Sequence, residues 1–194
     1  MVTFPDGERI KAYMLAVGKE MGFDILEPGD RHADALAAIL DEVDAVDGAL
    51  SWMVEEGDLS YVFAYESETG GDSDESDGFA GKLKSNGDVI IGINADALGR
   101  GDYGYAVLFH ELAHVILGPE HDHDTEFHEL EYDSTLAFDR ATGKRVMMEF
   151  MYDLTDESIL DLVEGGAISG DMVPDYINGI GNSDFGAGAD KDEV

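Results

Sequence analysis

Two histidines four residues apart, with a glutamate directly after the first, form the string His110-Glu111-Leu112-Ala113-His114, and these residue types at this spacing can do chemistry. On a helix, positions i and i+4 lie about 40° apart around the axis, so both imidazoles can reach one metal ion. Glu111 falls beside them, where a carboxylate can take a proton from water at the ion without being a ligand itself. The pattern therefore implies metal-assisted hydrolysis with an adjacent general base. With only six histidines in 194 residues, about 0.02 such strings are expected by chance, so coincidence is a weak rival.

Two histidines leave a catalytic metal short of a ligand, because such a site normally holds three protein groups and a water. The third is expected soon after. His121, His123 and His128 follow, with Glu129 and Glu131 beyond them, so that five of the six histidines fall between positions 110 and 128. Spacing alone leaves all five of these residues open as the third ligand.

The string is the His-Glu-x-x-His signature of zinc metallopeptidases, and its surroundings resemble the SprT-like and WLM-type peptidases over roughly residues 88–131. In those families a short loop leads from the motif to His-(Gly/Asp/Ser)-x-x-Phe, whose histidine completes the zinc site. His123-Asp124-Thr125-Glu126-Phe127 fits that half-motif, and Gly118-Pro119 is similar to the WLM pattern, although three extra residues separate that pair from His123. His121 is the main rival, standing one residue beyond the place of the third histidine in metzincins; Leu117 occupies the position where that family requires glycine. The resemblance implies an α+β zincin-like single domain, with a mixed or antiparallel sheet packed on the motif helix. It also implies Zn²⁺ held by His110, His114 and His123, Glu111 as general base, and a protein or peptide as substrate. The contrasting expectation is a catalytically silent zinc-binding module serving as a virion or interaction protein. An intact Glu111 argues against it, since a purely structural site needs no base.

These residues must be carried by definite elements. Asp102 as N-cap, the apolar stripe Val107, Leu108, Leu112, Val115 and Ile116, and the stop Gly118-Pro119 place the motif on a helix. Helical spacing predicts helices over residues 7–21 and 31–46, with His32 a solvated residue at the start of the second. Leu50–Val54, Leu59–Tyr65, Phe79–Lys84 and Val89–Ile93 read as strands, the last two joined by a tight turn at Asn86-Gly87. The strand Val89–Asn94 leads into the motif helix, and in zincin-like folds such a strand offers its edge to an extended substrate. The acidic stretch Glu66–Gly78 reads as a solvated loop rather than a calcium site, because Asp77 stands where an EF-hand loop needs glycine. Ala141-Thr142-Gly143-Lys144 reads as a turn, Val146–Leu154 as helix or strand, and Asp156–Val163 as a helix. The domain is expected over residues 1–181, followed by an acidic, glycine-rich, disordered tail over 182–194. Tyr132 and Tyr152 are candidates to stabilise a tetrahedral intermediate, though packing is the commoner role for tyrosine.

Composition narrows the setting. Forty-four acidic residues against eleven basic ones give a net charge of −33 and a pI near 4.1, a pattern halophilic proteins use, in which salt screens the self-repulsion. The same charge argues against direct nucleic-acid binding, which relies on clustered Lys and Arg. There is no cysteine, so zinc must be held by histidine or carboxylate. No signal peptide and no transmembrane run is evident, which predicts a cytoplasmic protein, with a virion as the other setting.

Overall fold

The computed structural model describes residues 18, 23–67, 77–83, 86–118 and 123–147. In chain order these form β1 (Phe23–Ile25), α1 (Arg31–Asp47), α2 (Ala49–Glu56), β2 (Tyr61–Ser67), β3 (Gly78–Lys82), β4 (Val89–Asn94), the short α3 (Ala95–Leu98), α4 (Tyr103–Leu117) and α5 (Thr125–Thr142). The expected helix over 7–21 lies outside the described residues except for Gly18, as do most of the acidic stretch after Ser67, everything beyond Met147, and with it the tail. None of the described helices is long and apolar enough to cross a membrane.

The chain is α+β with a mixed sheet. Among the described residues four strands pair in the order β1-β2-β4-β3. β1 and β3 run antiparallel to their neighbours, whereas β2 and β4 are parallel, with Val62 opposite Ile91 and Ala64 opposite Ile93. One face of the sheet places Ala64, Ile91 and Ile93 in the main core with Leu36, Ile39 and Leu40 of α1 and Leu108 of α4. The other face carries a second cluster, in which Phe23, Phe63, Tyr65 and Phe79 stack at 4.8–6.0 Å. Gly92 permits this, because a side chain there would run into the Phe79 ring.

Several expectations change at this level. Leu50–Val54 is not a strand but part of α2. Leu50 and Met53 are the buried residues of that segment, while Trp52 is 58% exposed. Burial thus follows a three-residue period and not the two-residue period of a strand. His32 is not solvated. Its side chain is only 12% exposed, held by a ring nitrogen that accepts from Arg31 Nε at 3.1 Å, while Asp30 caps α1 by accepting the His32 N–H. Val89–Asn94 has no edge to offer: β4 lies between β2 and β3, and among the described residues β3 is the strand at the border. The β3–β4 connection is longer than a two-residue turn. The Leu83 N–H donates to Asp88 O and the Gly87 N–H to Leu83 O, both at 2.8 Å, so the connection closes between Leu83 and Asp88 and not around Asn86-Gly87 alone.

α4 starts and stops where the sequence predicts, with a different start chemistry. Asp102 occupies the N-cap position without a side-chain cap bond, and its carboxylate instead lies 3.6 Å from Lys144 Nζ. At the far end Ile116 is 55% exposed, so the buried stripe closes at Leu112 and half-buried Val115. α5 was not apparent from periodicity. It buries Phe127, Glu131, Thr135 and Phe138, a stripe with spacing four, four and three that a charged and a polar residue disguise. Beyond its C-cap Gly143, Asp139 accepts the N–H groups of Val146 and Met147 at 2.9 and 3.0 Å, folding the chain back onto the helix.

Candidate metal centre

α4 presents His110 and His114 on one face, and the chain returns after Gly118 to bring His123 to the same place. The three offer ligand atoms within 4.8 Å of one another and form, among the described residues, the group positioned to bind a metal ion. Their imidazole centroids make a nearly equilateral triangle with sides of 4.9, 4.9 and 5.0 Å. Phe127, fully buried, packs its ring against all three at 5.1, 4.4 and 4.9 Å. The aromatic residue of the His-x-x-x-Phe pattern is thus the platform on which the imidazoles stand.

His123 reaches this position through an unusual backbone. Its φ is +57°, the only positive φ of a non-glycine residue among those described, and a conformation of this kind costs on the order of 1 kcal/mol. Immediately after it Asp124 caps α5, its carboxylate accepting the Phe127 N–H at 2.9 Å. The cap fixes the helix start, and the left-handed residue before it turns the imidazole toward α4.

Glu131 orients the ring of His110 as it would have to be in a metal ligand. His110 Nδ1 lies 2.6 Å from Glu131 Oε1, and Glu131 is 1% exposed. A carboxylate there takes the Nδ1–H and leaves the Nε2 lone pair for an ion. Nε2 of His110 is 3.1 Å from Nε2 of His123, close to the roughly 3.3 Å that separates two nitrogens held tetrahedrally at about 2.0–2.1 Å from zinc. The donor set therefore fits an ion bound by neutral imidazoles. Burial acts to lower the His110 pKa, but the hydrogen bond and charge of Glu131, with the charge of Glu111, outweigh it and raise it.

Other sequence candidates take other places. Glu131 is not a ligand but the partner of two ligand-region histidines: its second oxygen lies 3.0 Å from His128 Nδ1. His128 stands behind His123, with its ring stacked at 6.2 Å, and Glu129 is exposed; neither belongs to the ligand group. His121 and Tyr152 lie outside the described residues. Tyr132 is buried, with its hydroxyl pKa raised mainly by that burial.

Glu111 lies next to the triad without joining it. Only 4% of it is exposed, and burial pushes its carboxyl up to about 7, the charge of Glu131 adding to this while His110 and the Ala80 N–H hold it down. Its other neighbour is β3. Gly78 approaches so closely that a Cβ would sit 2.6 Å from Val107 Cγ1 and 3.0 Å from Glu111 Oε1, which leaves glycine as the residue that fits. The role of Glu131 was missed in the sequence, though its signal was present: a glutamate on the buried stripe of α5, four residues from Phe127, must have a partner.

Against known protein families, functionally characterised proteins and solved structures, the chain matches none.

Proposed function

We propose that the protein is a zinc-dependent endopeptidase of zincin-like architecture, with His110, His114 and His123 holding Zn²⁺. The observation that carries this reading is the pairing of a three-imidazole cluster with a buried carboxylate outside it. Burying a carboxylate is costly without a purpose or a partner, and a metal that served stability alone would need no such group beside it. Three neutral imidazoles without a thiolate suit zinc among the common ions. When bound, zinc supplies Lewis acidity that polarises a peptide carbonyl and acidifies water.

The chain's own residues supply the rest. Glu111 takes a proton from the attacking water and delivers it to the departing amine nitrogen, a shuttle favoured by burial, which raises the affinity of its carboxyl for protons. The Ala80 N–H, donating to the Glu111 carboxylate, aims it. Glu131 keeps the His110 proton on Nδ1. The border strand β3, immediately beside Glu111, replaces β4 as the strand along which an extended peptide would lie by strand addition.

Digestion of a chemically unfolded, generic protein substrate tests the proposal. The purified protein should cleave it, lose activity on treatment with a chelator, and regain activity with stoichiometric zinc. A zinc-loaded protein that leaves such substrates intact, at low and at molar salt, would refute the peptidase reading.

A further inference from the structure

We infer that Tyr103 and Asp77 form a positioning latch that sets the register of β3 against α4 and so keeps the Ala80 N–H on Glu111. The catalytic part of this inference rests on the peptidase reading above; the structural part stands without it.

Tyr103, Val107 and Glu111 recur every four residues and make one stripe along α4. β3 is laid against that stripe contact by contact. The Tyr103 hydroxyl donates to Asp77 Oδ2 at 2.6 Å. Gly78 abuts Val107 and Glu111, and the Ala80 N–H reaches the Glu111 carboxylate. Around the first contact Arg100 adds a second hold, with its guanidinium 3.7 Å from the same Asp77 oxygen and 3.6 Å above the Tyr103 ring.

The ladder explains why register matters. The Asn94 N–H donates to Asp77 O, and the Leu83 N–H to Asp88 O. With Phe79 opposite Gly92 and Gly81 opposite Ile90, the odd-numbered residues of β3 turn their backbone groups to β4, and Gly78, Ala80 and Lys82 turn theirs to the border. The N–H that reaches Glu111 is thus one that β4 cannot hold in place. A slip of one residue would exchange the two sets and bring Phe79 to the place where only a glycine fits. A strand that among the described residues is paired on one side only resists such a slip weakly by itself, and Asp77, the residue immediately before it, is where a tether to α4 acts most directly.

The test compares Tyr103→Phe, which keeps the ring and its stacking on Arg100, with Asp77→Asn, which keeps an acceptor. Tyr105→Phe is the control, since that hydroxyl, also on α4, donates to Glu42 of α1 and not to β3. In Tyr103→Phe the Ala80 amide should exchange with solvent ~10-fold faster, and kcat should fall ~10- to 10²-fold with KM and zinc content within ~2-fold of wild type. Asp77→Asn, with the Tyr103 hydroxyl still donating to it, should keep both readouts near wild type, and Tyr105→Phe should lower thermal stability while leaving both unchanged. Wild-type exchange at Ala80 in Tyr103→Phe, or an equal rise in Tyr105→Phe, would overturn the latch. Faster exchange with unchanged kcat would overturn its catalytic role. A wild type inactive on every peptide would defeat the peptidase reading, and the exchange at Ala80 would still decide the latch.

Discussion

Glu131 offers the sharpest perturbation of the metal centre, because its side chain bonds to histidines there without belonging to the ligand group. It accepts from His110 Nδ1 at 2.6 Å and lies 3.0 Å from His128 Nδ1, almost wholly removed from water. Glutamine in its place has one acceptor oxygen and one amide donor, so it cannot satisfy two imidazole N–H groups at once. If its oxygen turns to His110, the tautomer survives but the charge assistance is lost; if its amide does, His110 moves its proton to Nε2, the nitrogen that faces the ion. Alanine removes the orientation altogether. Loss of such a partner typically weakens metal binding ~10- to 100-fold, which at about 1.4 kcal/mol per decade is about 1.4–2.8 kcal/mol. We expect Glu131→Gln near the lower end and Glu131→Ala near the upper end. Titration of the apoprotein with zinc against a chromogenic chelator measures the affinity, and circular dichroism establishes that the variants are folded. Folded variants binding zinc within ~2-fold of wild type would refute the argument that Glu131 orients a ligand.

Further outcomes follow from the same geometry. Glu111→Gln, nearly isosteric but unable to act as a base, should lose at least ~10²-fold in kcat while retaining zinc, as steady-state kinetics and elemental analysis would show. Gly78→Ala should lower both kcat and melting temperature, because its Cβ would collide with Val107 and Glu111; the loss in stability read from chemical denaturation should be about 1–3 kcal/mol. With a net charge of −33, the melting temperature should rise steeply with KCl as the Debye length falls from ~10 Å at 0.1 M to ~3 Å at 1 M. A flat or falling trend in calorimetry would remove the halophilic reading and leave the metal site untouched.

Legibility in the sequence was uneven for physical reasons. His110, Glu111 and His114 could be read because a helix converts spacing into facing, and α1 and β4 because long apolar patterns have one period. His123 emerged only through its likeness to a half-motif: its left-handed φ, the property that aims it, leaves no trace in composition. The first part of α2 reads as a strand because Leu50, Trp52 and Val54 alternate, whereas burial selects Leu50 and Met53. β1 is three residues long, too short for periodicity to register, and the topology that makes β3 the border strand depends on a parallel pairing between β2 and β4 that no local signal records. In the sequence Asp77 reads only as a residue unfit for a calcium loop, while its carboxylate serves Tyr103, 26 residues away.

The ring of Phe127 has a consequence for how an ion is acquired. Imidazoles packed against one buried ring have fewer arrangements to lose than free ones, half-buried His110 and His114 more so than exposed His123, so part of the ordering entropy is settled during folding instead of on ligation. The polypeptide, and not the incoming cation, then dictates the shape of the coordination polyhedron. Ions compete for this chain by how well they tolerate a fixed triangle of nitrogens, and a cation preferring a square arrangement must distort either itself or the packing around α5.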